Sequence, residues 1–107
     1  MTPTTHSTQT TASLVVTAAK TEAYLHEVRR YLWSKAASMA EADRLADPLA
    51  WYIWSGRASA AWLKTLYGLA PWRVGRSLLK GGSTAEAIDR IKTIVVKAGG
   101  PDPNAWA

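Results

Sequence analysis

Five cations, Arg57, Lys64, Arg73, Arg76 and Lys80, stand between Pro48 and Ala85 with no carboxylate among them. They account for the whole formal net charge of +5. Upstream, Lys20, Arg29, Arg30, Lys35 and Arg44 are balanced by Glu22, Glu27, Glu41, Asp43 and Asp47. Downstream, Arg90, Lys92 and Lys97 are balanced by Glu86, Asp89 and Asp102. Cations without interspersed acids create a local positive potential, which suits phosphate or an anionic membrane surface. The same stretch holds Trp51, Trp54, Trp62 and Trp72. Covalent chemistry has little to draw on. Without cysteine there is no disulfide, thiolate ligand or thiol nucleophile. Two histidines, His6 and His26, cannot supply a His-rich metal site or a His-centred triad. The expectation is a non-enzyme with no catalytic residue, no metal and no cofactor.

The elements that must position the cations follow from length and periodicity. A chain of 107 residues fits one domain with a modest core. Its 48% apolar and 20% charged residues are an ordinary globular mixture. The Thr-rich start lacks the apolar run of a secretory signal, and no stretch reads as a membrane span. Residues 1–12 hold too little apolar area to fold alone, so they are expected to form an extended N-terminal arm. A first helix is expected over 13–37, where Leu14, Ala18, Thr21, Leu25, Val28 and Leu32 make a heptad-like seam. Leu25 and Leu32 on that seam are candidate subunit contacts.

Ser38-Met39-Ala40-Glu41 matches a capping box. Asp47-Pro48 reads as a helix start, which gives a second helix over 48–67 closed by Gly68. That helix is apolar almost all round, so it should lie centrally or between subunits. Trp51, Trp54 and Trp62 on its broad side are the candidate subunit interface. Pro71 opens a third helix, 71–80, with Arg73, Arg76 and Lys80 on one face and Val74, Leu78 and Leu79 opposite. Gly81-Gly82 ends it, and Ser83-Thr84-Ala85-Glu86 caps a fourth helix over 84–98. Its buried face would be Ala87, Ile88, Ile91, Ile94, Val95 and Ala98. The reading is all-α: an arm (1–12), a small four-helix bundle (13–98) and a tail (99–107).

Three other patterns compete. Leu78 to Ile91 has the helix, Gly turn and helix of a helix-turn-helix regulator. Its second helix would present Glu86 and Asp89 to phosphates, which disfavours that use. Trp54-Ser55-Gly56 matches the Trp-x-Gly turn of small secreted helical hairpins, but Asp47-Pro48 and Pro71 put it inside the second helix. Tryptophan with Arg and Lys also suits a protein-interaction or membrane-surface module, so a membrane partner stays open.

Residues 56–103 resemble the major coat proteins of filamentous archaeal viruses of the rudivirus type. The matching positions are Tyr67-Gly68-Leu69, Arg73 and the Gly81-Gly82 turn, then Lys92, Val96, Ala98, Gly100 and Pro103 at compatible spacing. The resemblance implies a small helical bundle with an N-terminal arm, in which paired coat proteins wrap linear double-stranded DNA in the A form. It implies double-stranded DNA as partner, together with other copies of the chain or a paralogous coat protein, and a virion location. Apart from it, a cytoplasmic location is expected. Pro71 departs from the family, which continues a helix there, and the sequence ends where the family has another helical stretch. The arm carries no Lys or Arg before Lys20, which suits a hook onto a neighbouring subunit better than a DNA contact. The five cations of 57–80 are the expected DNA contacts. Wrapping DNA without sequence preference needs spaced cations and no base-reading motif.

Overall fold

Serine hydroxyls start three of the helices, and they set the frame for everything that follows. In the computed structural model, the backbone is described for residues 2–102 and the side chains for residues 18–102. Over that range the chain forms α1 (Thr2–Lys35), α2 (Met39–Trp54), α3 (Ala60–Tyr67), α4 (Pro71–Leu78) and α5 (Thr84–Lys97). No strand occurs among the described residues, so the fold is an all-α bundle. Ser38, Ser59 and Ser83 each accept a backbone N–H three residues on, at 3.1, 3.2 and 3.1 Å. Each bond satisfies a helical N–H that otherwise has no partner, a contribution of about 1 kcal/mol. At α5 the box is reciprocal, since the Ser83 N–H donates to Glu86 Oε1 at 2.9 Å.

Apart from end shifts of one or two residues, the helices differ from the sequence reading in three places. Helix α1 already begins at Thr2, so the segment expected as an extended arm continues the helix instead. Propagation explains how: once a helix is nucleated, each added residue contributes a hydrogen bond. Pro3 sits in the first turn, where a missing N–H removes no helical bond. Second, α2 starts at Met39, capped by Ser38, and runs through Pro48. Ala42, Ala46, Leu49 and Ile53 form one buried stripe on both sides of that proline, and their packing outweighs the bond it deletes. Third, the expected 48–67 helix is two helices. Gly56 turns the chain at φ +77°, a left-handed conformation that only glycine adopts cheaply. Ser55 Oγ donates to the Tyr52 carbonyl at 2.6 Å, and Ser59 then restarts the helix. Trp54-Ser55-Gly56 is therefore a turn and not helix interior. Among the described residues the bundle has five helices where four were expected.

This break redirects Trp62. From α3 it points inward and is fully buried, edge to face with Tyr52 at 5.4 Å and 76°. Its indole N–H has no hydrogen-bond partner among the described residues. Leu25 and Leu32 are also fully buried within the single chain. These three belong to the monomer core, not to a subunit interface. The described, buried part of the heptad-like seam, Thr21, Leu25, Val28 and Leu32, lies on α1 where α2 and α4 pack. Helix α5 lies against α2, α3 and α4.

Helix α4 is held against α1 by a close approach. A Cβ added at Gly75 would stand 2.5 Å from Cδ2 of Tyr31, so only glycine fits without a shift. The start of α4 is fixed from α1 as well. Tyr24 OH donates to the Leu69 carbonyl at 3.2 Å, and Thr21 Oγ1 and Tyr67 OH share a hydrogen bond at 2.6 Å. No helix among the described residues is long and apolar enough to cross a membrane.

Candidate nucleic-acid interface

The face of α4 turned away from Tyr31 carries the charge. Val74, Gly75, Ser77 and Leu78 are buried, while Arg73 and Arg76 are exposed. At 1.5 Å per residue, their three-residue spacing is about 4.5 Å along the helix axis. Lys80, expected on the last turn of the helix, lies just beyond it in the 79–83 turn and is exposed. Arg73, Arg76 and Lys80 line one groove of about 490 Å³ between α4 and α5. Trp72, Ser77, Arg90, Thr93 and Ile94 complete its lining, and none of these residues is acidic. The three cations make no ion pair among the described residues. The ion pairs there, Arg30 with Glu27 and Arg44 with Glu41, belong to α1 and α2.

Arg90 is the residue that counting charges along the sequence missed. Its Nη2 donates to the carbonyls of Ser77 at 3.0 Å and Gly81 at 2.7 Å, and its Nε to Ser77 Oγ at 3.4 Å. The guanidinium thereby caps the C-terminal end of α4, where unpaired carbonyls favour a cation. In sequence it is offset by Glu86 and Asp89. In space Glu86 is engaged by Ser83, whose backbone and side-chain hydrogen bonds hold its carboxyl below the usual carboxylate range. Asp89 is exposed, while Arg90 lies about one turn from both Ala87 and Ile94 on the inner side of α5. The helical wheel of α5 turns Asp89 away from Arg90, while Glu86, one turn back on the Arg90 side, also feels the Arg90 charge.

The other two cations sit elsewhere. The Arg57 guanidinium lies over the Trp51 ring, 5.0 Å from its centroid, at the α2–α3 turn. Lys64 lines a separate groove with Lys20, Leu63 and Tyr67. The five cations picked from sequence thus divide, and three of them meet with Arg90.

Trp51 and Trp54 stand one turn apart on α2, 49% and 52% exposed, and line a shallow groove with Asp47, Ala50 and Ser55. Trp72 is 50% exposed. Burial raises the pKa of Tyr24, against the pull of the Arg73 charge, and burial likewise raises that of Tyr67. Three or more His, Cys, Asp or Glu side chains do not converge anywhere among the described residues. Four adjacent cations, a carboxylate-free lining and no converging acid–base set suit the chemistry of holding phosphates. No protein family, curated protein or solved structure matches the chain.

Proposed function

We propose that the chain is a structural nucleoprotein subunit that binds duplex DNA without sequence preference through the α4–α5 face. The observation that carries this reading is the groove in which Arg73, Arg76 and Lys80, unpaired, stand beside Arg90 with no carboxylate. Cations that replace the counterions of phosphates give affinity without base reading. The helix-turn-helix alternative fits less well. Helix α5 spends its faces on α2, α3 and α4 and presents Glu86 and Asp89 to solvent. A recognition helix needs an open face able to approach base edges.

Assembly is the second half of the proposal. Trp51 and Trp54 leave an aromatic face on α2, with Asp47 in the same groove and the Arg57 guanidinium over the Trp51 ring. A second copy would cover the rings in an isologous contact. The finer reading, coating of linear duplex DNA in a viral filament, rests on the resemblance of residues 56–103 to the archaeal coat proteins. The test is anisotropy of the full chain with two unrelated duplexes at several salt concentrations. Equal affinities that fall steeply with salt are expected. A preference for one sequence of about 4–10 kcal/mol would point to a regulator instead. Absence of binding at low salt would refute the reading.

A further inference from the structure

Phosphate contacts leave Trp72 unexplained. Its ring lines the cationic groove and is half exposed. Three other tryptophans have partners, and Trp54, which lacks one among the described residues, lies in the α2 groove away from these cations. Trp33 donates to Asp43 Oδ1 at 2.9 Å, Trp51 lies under Arg57, and Trp62 packs on Tyr52. Trp72 makes no ring–ring or cation–ring contact among the described residues. Its backbone is nevertheless held in place. It follows Pro71 at the start of α4, and Gly75 on the next turn is locked against Tyr31. A half-exposed indole held beside three unpaired cations is a stacking surface set next to phosphate contacts.

A duplex offers such a ring nothing to stack on along its length, because its bases are paired and stacked inside. A single strand offers a base face beside each phosphate, and grooves that bind single strands combine cations with exposed aromatic rings. We propose that the α4–α5 groove also takes single-stranded nucleic acid, with Trp72 stacking on an unpaired base while Arg73, Arg76 and Lys80 hold the flanking phosphates. This rests on the reading of the groove as a phosphate-binding surface. Any base can stack, so no sequence preference accompanies it.

The experiment compares the full chain with Trp72→Ala and Trp72→Phe. The probes are a labelled thymidine oligonucleotide, a duplex of the same length and vesicles containing phosphatidylserine. Trp72→Ala should weaken single-strand binding about tenfold or more, the range of base–aromatic stacking, and Trp72→Phe should restore much of it. Duplex affinity should change less than about twofold, and the salt slope for the single strand should stay the same, since no phosphate contact is removed. An equal loss on single strand and duplex would overturn the proposal by making Trp72 a structural residue. So would single-strand affinity that ignores Trp72, wild-type binding of duplex alone, or a Trp72→Ala loss confined to the vesicles. Those outcomes leave the duplex reading standing where wild type binds duplex. Wild type that binds neither nucleic acid overturns both.

Discussion

Replacing Arg73 and Arg76 together by alanine isolates the phosphate contacts of α4. Both side chains are exposed, and neither hydrogen-bonds nor ion-pairs among the described residues, so the fold should change by no more than about 0.5 kcal/mol. If Arg73, Arg76 and Lys80 each meet one phosphate, the wild-type log–log salt slope should be about −2.7, at about −0.9 per contact. Between 50 and 200 mM salt that weakens binding roughly 40-fold. The double variant retains one of the three contacts, and its slope should be about −0.9, a weakening of only about 3.5-fold over the same range. Lys64→Ala lies on a different groove and should leave the slope unchanged. The assay is anisotropy of a random-sequence labelled duplex at four salt concentrations, with far-UV circular dichroism as the check on folding. Equal slopes for wild type and the double variant would refute the placement of DNA on α4. A Lys64→Ala loss as large as that of the double variant would show that net charge matters and the groove does not.

Trp62→Ala should destabilise the chain by about 3–5 kcal/mol in urea unfolding, as the loss of a fully buried large aromatic does. Trp62→Phe should cost markedly less, because it keeps a ring against Tyr52 and removes an indole N–H that has no partner among the described residues. Trp51→Ala with Trp54→Ala should lower the assembly mass in light scattering while unfolding midpoints stay close to wild type, since both rings are half exposed; an unchanged mass would count against the α2 face as an interface. Burial keeps the Tyr24 phenol neutral in the folded chain, whereas an unfolded tyrosine ionises near pH 10. Its contribution is therefore complete below about pH 10 and declines above it by about 1.4 kcal/mol per pH unit. Tyr24→Phe should flatten the alkaline fall in urea stability, and an unaltered fall would contradict that assignment.

The parts of this fold that sequence makes legible are the local ones. Ser38 with Glu41 and Ser83 with Glu86 mark their helix starts because the bonds span three residues and need no tertiary partner. Pro71 and the 73, 76, 80 spacing likewise carry their own geometry, and the structure keeps those three cations together. What sequence misreads depends on packing. Asp47-Pro48 has every local mark of a helix start, yet a buried stripe from Ala42 to Ile53 carries α2 through it. Gly56 sits in an apolar run and looks tolerable in a helix until Ser55 and Ser59 are seen to end one helix and begin the next. Once that turn is made, Trp62 leaves the face of Trp51 and Trp54 and enters the core. Asp89 masks Arg90 in a linear charge count, although adjacent residues on a helix point about 100° apart. The site is thus a partial reading: the α4 stripe was visible, and its fourth cation and the separation of Arg57 and Lys64 required the fold.

Whether duplex DNA lies along the α4–α5 groove is read most directly by a nuclear magnetic resonance titration. Labelled full-length chain is titrated with a short random-sequence duplex at low salt, following backbone amides, arginine Nε–H groups and tryptophan indoles. Arg73, Arg76 and Arg90 Nε–H signals and the amides of 72–82 should shift first and reverse on adding salt, while Arg57 and the indoles of Trp51 and Trp54 hold still. Shifts gathered on Trp51, Trp54 and Arg57 with α4 unmoved, or no shift at all, would contradict that placement.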